Sequence, residues 1–305
     1  MNFLGLGGGC TVEIEMADAA TRKCLSIRRG AAGSAGGEAA ELCPLYAHRE
    51  TVSGEVHVNV PPGKKVEHQG IKIELLGQIE NLHERGSVYE FIQLKRELEP
   101  PGELLQKKTF TFEFSSVEME DESYNGLNVR LRYFLRATVI RQYAMNVYKE
   151  KEFWVRNNSA EPEEENKSLK MEVGIEDCLH IEFEYSKRKY HLKDYVVGKI
   201  FFLLVRIRIK YMEIEIRRRE STGSGPTAVN ESETLTKYEI MDGAPVRGES
   251  IPIRLFLSPY ELTPTYQNVH NKFSVRYFLN LVLVDEEDRR YFKQTEIILY
   301  RKADS

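Results

Sequence analysis

The sequence has few cysteines, and none of them stands in a pattern that builds a disulfide framework. Cys10, Cys24, Cys43 and Cys178 are irregularly spaced, and no Cys-x-x-Cys pair occurs. Disulfides persist in oxidising compartments and are rare in the reduced cytosol. We therefore expect a cytoplasmic protein with free thiols.

An excess of positive charge and a long apolar run are also missing. The formal net charge is −4, from 43 basic and 47 acidic side chains. The sequence therefore lacks the excess of positive charge that is typical of nucleic-acid-binding proteins. The strongest apolar run, residues 200–205, is far shorter than the ~20 residues that cross a bilayer. The first residues lack the charged start and apolar stretch of a signal peptide. We expect no nucleic-acid partner, and membrane association only peripherally, through partners.

Motifs that carry catalysis are absent as well. The sequence contains no P-loop and no Gly-x-Ser-x-Gly elbow. The glycine-rich segment 5–10 lacks the third glycine of a dinucleotide-binding loop, and it precedes its strand instead of following it. We expect no catalytic residues and no cofactor, and therefore a protein that is not an enzyme.

The best metal-ligand candidates are Asp177, Cys178, His180 and Glu182. On a strand, Cys178, His180 and Glu182 share one face, opposite an apolar one. Alternate residues of one strand rarely converge on one ion without ligands from elsewhere. We interpret them as a polar outer face and expect no metal.

The dominant pattern is an alternation of apolar and polar residues with a period of two. It runs through residues 12–16, 56–60, 71–75 and 110–114. Turn-forming sequences, namely Pro-Pro-Gly, Asn-Gly and Asp-Gly, separate the alternating segments. Many short strands of this kind predict an all-β protein built from β-sandwiches. In the second half the phase slips near Tyr211, which predicts a bulge or strand corner there.

The two halves resemble each other. Val-x-Gly-x-Val at residues 52–56 is matched by Val-x-Gly-x-Ile at 196–200, and Arg-Tyr-Phe-Leu at 132–135 recurs at 276–279. Both matches have the same offset of 144 residues. A shared offset indicates a duplicated domain, which chance similarity between β-patterned segments explains poorly.

We expect two tandem β-sandwich domains, residues 1–160 and 161–305. The polar, acidic, proline-containing segment 157–166 is the predicted linker between them. A Gly/Ala-rich segment at 29–41 is predicted to be a surface loop of the first domain.

Arg130, Arg132 and Arg136 lie in an alternating stretch, opposite an apolar face. They form either a basic sheet face in water, an ion-pair cluster between the domains, or a patch for an anionic partner. Charge on a sheet face is usually solvated, so the first interpretation is favoured.

Ile240 and Met241 stand beside the Asp-Gly turn at 242–243. As an exposed apolar tip they would form a partner contact, for which methionine is well suited. Alternatively, they lie at a strand end, with Tyr238 and Ile240 facing the core. The residue pattern leaves both alternatives open.

Six distinctive segments lie in the two halves of the chain. They are Glu-His-Gln-Gly-Ile at 67–71, Asn-Val-Arg-Leu-Arg-Tyr-Phe-Leu at 128–135, Lys-Met-Glu-Val-Gly-Ile-Glu-Asp-Cys-Leu-His-Ile-Glu-Phe-Glu-Tyr at 170–185, Tyr-His-Leu-Lys-Asp at 190–194, Lys-Tyr-Glu-Ile-Met-Asp-Gly-Ala-Pro at 237–245 and Val-Asp-Glu-Glu-Asp-Arg-Arg-Tyr-Phe-Lys-Gln at 284–294. Together they resemble the vacuolar protein sorting-associated protein 26 family, the arrestin-like subunit of the retromer coat, over nearly the whole chain.

The resemblance implies an arrestin-like fold of two tandem β-sandwiches. It implies a coat subunit and cargo adaptor for retrograde transport from endosomes to the Golgi and to the plasma membrane. The implied partners are the retromer α-solenoid subunit, the phosphoesterase-fold subunit carried by that solenoid, sorting nexins and the cytosolic tails of transmembrane cargo. The implied location is the cytosolic face of endosomes.

The resemblance also implies two binding sites. The apolar pair through which the family's second domain grips the solenoid matches Ile240 and Met241. In the family, a cargo tail adds as a strand to an edge between the two domains, beside a sorting nexin. That edge matches the segment around Met171 and Val173, and an apolar pocket residue there matches Phe292.

Three features depart from the family's pattern: the Gly/Ala-rich insertion at 29–41, His48 and Asn158. His48 and Asn158 stand at positions of the site for a PDZ-containing sorting nexin, so that partner is not implied here. The main rival function is a stand-alone arrestin-like receptor adaptor. A carbohydrate-binding module or hydrolase would need aromatic platforms or paired carboxylates on one sheet, and neither is evident.

Overall fold

The computed structural model describes residues 9–27, 41–83, 87–159, 167–175, 177–223 and 228–303. Within these ranges the chain forms strands and no helix, which confirms the predicted all-β class. The chain divides into two compact units, Met1–Asn157 and Asn158–Ser305. The predicted boundary between residues 160 and 161, most of the predicted linker and residues 29–40 lie outside the described residues, so this boundary stays a prediction.

In its described residues the first unit contains a three-stranded, a seven-stranded and a two-stranded sheet. The three-stranded sheet has the order β1 (Thr11–Met16), β4 (Val52–Asn59), β9 (Lys108–Phe114). The larger one has the order β2 (Cys24–Ile27), β3 (Glu41–Tyr46), β12 (Val147–Val155), β11 (Val129–Ile140), β6 (Gly70–Asn81), β7 (Val88–Glu99), with β10 (Tyr124–Asn125) paired to β11. The third pairs β5 (Val66–His68) with β8 (Gly102–Leu104).

The second unit contains two sheets in the described residues. One has the order β13 (Leu169–Ile175), β14 (Leu179–Tyr185), β16 (Tyr195–Val205), β19 (Ser250–Phe256). The other has the order β15 (Lys189–His191), β22 (Arg290–Tyr300), β21 (Phe273–Asp285), β17 (Ile209–Thr222), β18 (Val229–Asp242), with β20 (Tyr266–Val269) paired to β21.

Alternation of side chains creates the core of each unit. In β4, Val52, Val56 and Val58 are fully buried, while Ser53, Glu55 and His57 between them are more exposed. In β14 the odd-numbered positions are buried in the same way. Within the first unit, β1 of the smaller sheet packs against β11 and β12 of the larger one. Each sheet therefore turns its apolar face inward, as in a β-sandwich.

The topology reproduces the predicted internal duplication. Residues 52–59 of β4 correspond to 196–203 in β16, and 129–140 of β11 correspond to 273–284 in β21. In each unit a short strand pairs in parallel with the last strand, β3 with β12 and β15 with β22. The shared offset of 144 residues therefore relates strands in equivalent places.

The repeated Val-x-Gly-x-Val/Ile motif has a steric basis. Gly54 lies opposite Met16 on the neighbouring strand, and Gly198 lies opposite Tyr185. A Cβ atom at Gly54 would overlap the carbonyl oxygen of Glu15, and one at Gly198 would lie 2.5 Å from that of Glu184. Glycine is required at both places because the adjacent backbone approaches too closely for a side chain.

The bulge predicted near Tyr211 is confirmed. Ile209 pairs with Asp285 and Tyr211 with Val284, so Lys210 is skipped in the ladder between β17 and β21. Since one extra residue reverses the facing of all that follow, this bulge explains the change of parity seen in the sequence.

Candidate interaction sites

The first candidate surface lies on β18, an edge strand of the six-stranded sheet. Met241 pairs with Met212 and Glu239 pairs with Glu213, which leaves Ile240 as the extra residue of a β-bulge. A bulge interrupts the strict alternation of side chains and redirects them. This bulge was not predicted from the sequence, although two adjacent apolar residues in an alternating strand are a signal for one.

Because of the bulge, neither member of the apolar pair is buried. Ile240 and Met241 are both half-buried, and Tyr238 is 45% exposed. Beyond the pair, the chain turns at Gly243, whose φ of 116° favours glycine. The geometry leaves apolar atoms of two adjacent residues accessible at one place on the edge.

An ion pair joins β18 to Glu215 of β17, and donors on β17 and β21 hold the same carboxylate. Lys237 Nζ lies 3.0 Å from Glu215 Oε1, while Asn280 Nδ2 donates to Glu215 Oε2 at 2.8 Å and Arg217 Nε donates to the same oxygen at 2.8 Å. Burial works to raise the pKa of Glu215, but the donors Asn280, Lys237 and Arg217 outweigh it and hold this pKa below its ordinary value. The strand that carries Ile240 and Met241 is therefore anchored without them.

The second candidate surface is β13, which lies at the edge of the four-stranded sheet. Met171 pairs with Phe183 and Val173 pairs with Ile181, and both partners are buried. Met171 Sδ accepts a hydrogen bond from Thr295 Oγ1 at 3.4 Å, so it points towards the other sheet of the same unit. Met171 and Val173 are half-buried residues at the open margin of the sandwich.

Phe292 lies on β22, the strand that Met171 contacts through Thr295. Its side chain is 65% exposed, although it pairs with the buried Val282. The sequence-predicted residues Met171, Val173 and Phe292 thus belong to one unit, in which Thr295 joins β22 to Met171. Phe292 stands three residues before Thr295 and so projects from the other face of β22. An aromatic ring exposed to this extent offers a large apolar contact to a partner.

The arginines of β11 do not form a free basic face. Each guanidinium binds a carboxylate of a neighbouring strand in the same unit. The pairs are Arg130–Glu152 at 2.6 Å, Arg132–Glu80 at 2.6 Å and Arg136–Glu150 at 2.7 Å. The arginine side chains are only 16–30% exposed. The expectation of a solvated basic face is therefore wrong, and carboxylates within the unit neutralise the patch that an anionic partner would need.

The remaining predicted positions lie apart from these edges. The backbone N–H of His48 donates to Asn157 Oδ1 at 2.8 Å, and Asn158 is exposed. Of the metal candidates, Asp177 and Cys178 lie in a turn before β14. The structure instead groups His180 and Glu182 with Glu172 of β13, a residue outside the predicted set.

Comparison with known families bears on these surfaces. The family model described as "Vacuolar protein sorting-associated protein 26" matches residues 6–288. The chain belongs to the vacuolar protein sorting-associated protein 26 family. The match includes the edge strands β18 and β13 and ends before β22, the strand that carries Phe292.

Individual members of the family are similar over the full length of the chain. "Vacuolar protein sorting-associated protein 26" of Dictyostelium discoideum is 58% identical over 306 residues, which is 99% of this chain and 86% of that protein. The 26B protein of Arabidopsis thaliana is 58% identical over 304 residues, 99% of this chain and 98% of that protein. The 26B protein of Homo sapiens is 57% identical over 305 residues, 100% of this chain and 88% of that protein.

Membership in the vacuolar protein sorting-associated protein 26 family supports a role in vacuolar and endosomal protein sorting. It is a trafficking family, which implies a non-enzymatic role, and the all-β fold agrees with its arrestin-like architecture. The described part of the chain contains no helix with the length and apolar character needed to span a bilayer.

Proposed function

We propose that this chain is the arrestin-like subunit of the retromer coat. It works as a scaffold and cargo adaptor in retrograde transport from endosomes to the Golgi and to the plasma membrane, on the cytosolic face of endosomes. It acts by docking and strand pairing and carries out no chemical step. The observation that carries the proposal is the family match over nearly the whole chain.

The contact with the α-solenoid subunit is proposed at Ile240 and Met241. Both are half-buried on an edge strand, where a bulge takes them out of the alternating pattern. Apolar anchors of this kind provide most of the binding energy when a partner desolvates them. The phosphoesterase-fold subunit joins the complex through the solenoid.

Cargo capture is proposed at β13. An edge strand offers backbone N–H and C=O groups that can pair with an added strand, while neighbouring pockets select its side chains. Met171 and Val173 provide half-buried apolar surface on that strand, and Phe292 provides an exposed ring on β22. A sorting nexin and the cytosolic tail of a transmembrane cargo protein are the proposed occupants.

Replacing Phe292 with Ala is expected to weaken cargo-tail capture by about 30-fold, because loss of an aromatic anchor typically costs about 2 kcal/mol. Stability should change little, since the ring is 65% exposed. The measurement is fluorescence polarisation of a labelled cargo-tail peptide with the protein, a solenoid fragment and a sorting nexin.

Phe256→Ala is the matched control for this measurement. Phe256 is 50% exposed and lies on β19, at the opposite edge of the sheet that contains β13. It should bind the tail like the unmodified protein. Equal binding by the Phe292 and Phe256 variants would exclude Phe292 from the cargo site.

A stand-alone arrestin-like receptor adaptor is the alternative function. The two functions differ in the solenoid, which only a coat subunit holds in a stable complex. The test is calorimetric titration of the protein with the purified solenoid subunit. Saturable binding with one copy of each partner supports the coat subunit, and the absence of binding supports the stand-alone adaptor.

A further inference from the structure

Three potential metal ligands meet on two neighbouring strands of the second unit. β13 and β14 run antiparallel, with Glu172 directly opposite Glu182 and Gly174 opposite His180. His180 and Glu182 are two residues apart and share one face of β14. One ligand atom from each of Glu172, His180 and Glu182 lies within 4.8 Å of the others, and His180 Nε2 is 3.6 Å from Glu172 Oε2.

We propose that Glu172, His180 and Glu182 form a binding site for a divalent transition metal, and that zinc fits it best. Imidazole nitrogen and carboxylate oxygen are zinc ligands, whereas calcium and magnesium favour oxygen ligands alone. One strand alone rarely supplies enough ligands for a metal ion. Here Glu172 comes from the adjacent strand.

The upper limit on the distances between the three ligand atoms, 4.8 Å, is slightly longer than in a zinc site, and small side-chain movements would bring the atoms close enough. Donors bound to one zinc at roughly 2.0–2.2 Å lie no more than about 4 Å apart. The side chains of Glu172 and His180 are 68% and 43% exposed, so rotation of their side-chain torsions closes the remaining gap without disturbing the core. Three protein ligands leave further coordination positions for water.

The charge of the strand pair also favours a cation. Like charges directly opposite on adjacent strands destabilise a sheet, and Glu172 and Glu182 stand in this relation. The neighbouring Lys170 forms an ion pair with Glu184 at 3.8 Å. A divalent ion held by the two carboxylates converts their repulsion into a shared attraction.

Space for the ion and its water ligands is available beside His180. Gly174 stands opposite His180, and a Cβ atom there would meet nothing within 4 Å. The bound metal would link the side chains of β13 and β14, and so would fasten the edge strand to the sheet. Metal binding would therefore slow amide hydrogen exchange in β13.

The site is tested by zinc titration of the full-length protein, stripped of metal with a chelator and kept reduced. Isothermal calorimetry should show one saturable zinc site. His180→Gln and Glu172→Gln should each weaken it about tenfold or more, because loss of a direct ligand costs at least as much as loss of an outer hydrogen-bond partner. Hydrogen exchange of β13 should slow with zinc in the unmodified protein but not in these two variants.

Two matched variants control for non-specific binding. His57 lies 3.4 Å from Glu15 and 3.8 Å from Glu55 in the first unit, so His57→Gln removes a histidine with similar neighbours. Glu184→Gln removes a carboxylate from β14 outside the proposed site. Both should keep the zinc affinity of the unmodified protein. Lack of a saturable site, or unchanged affinity in the His180 and Glu172 variants, would overturn the proposal.

Discussion

The double variant Ile240→Asp, Met241→Asp is expected to lose at least about 30-fold in affinity for the retromer α-solenoid subunit. Truncation of an interface anchor typically costs about 2 kcal/mol or more, and a carboxylate in a desolvated contact adds a further penalty. Both residues are half-buried on an edge strand, and Lys237 and Glu215 hold that strand in place independently. The measurement is calorimetric titration with a solenoid fragment, together with a thermal melt.

Val229→Asp is the matched control for this experiment. Val229 is 39% exposed and begins the same strand, so this variant places a charge on β18 away from the proposed contact. It should retain solenoid affinity. Unchanged affinity in the double variant would rule out the anchor role. Lost affinity with a collapsed melting temperature would instead show that Ile240 serves the core of the unit.

Gly54→Ala and Gly198→Ala are each expected to destabilise the unit that carries the change by about 3 kcal/mol, the upper end of overpacking costs. The new methyl group would meet the backbone oxygen of Glu15 in one case and of Glu184 in the other. Backbone in a strand ladder cannot move aside as a flexible side chain can. Urea unfolding, followed by hydrogen exchange within each unit, measures the effect and assigns it to a unit.

Gly174→Ala provides the control, because its new methyl group meets nothing within 4 Å and its backbone is already extended in β13. Its stability should stay close to that of the unmodified protein. If all three alanine variants were equally stable, close backbone approach would not explain the repeated glycine motif.

The candidate sites were only partly predictable from the sequence. Ile240 and Met241 stood out as adjacent apolar residues beside a turn, but whether they faced the core depended on the bulge. That bulge arises because Met241 pairs with Met212 while Glu239 pairs with Glu213. Residues about 30 positions away, on another strand, thus decide the exposure of the pair, and local periodicity contains no information about them.

The arginines of β11 show the same dependence on distant partners. Their spacing correctly predicted that they share one face of a strand. Their partners come from elsewhere: Glu80 lies on β6, while Glu150 and Glu152 lie on β12. The sequence contained these carboxylates, but their pairing with arginine required the register of three strands.

By itself, the sequence determined the all-β class, the duplicated organisation and the family. These properties follow from features that repeat along the chain, namely the period of two, the shared offset and the distinctive segments. The tertiary structure alone decided which side chains meet across strands, as Glu172 meets His180 and Glu182. The physical reason is that strand pairing joins residues distant in sequence, and a shift of one residue in register reverses which face each side chain occupies.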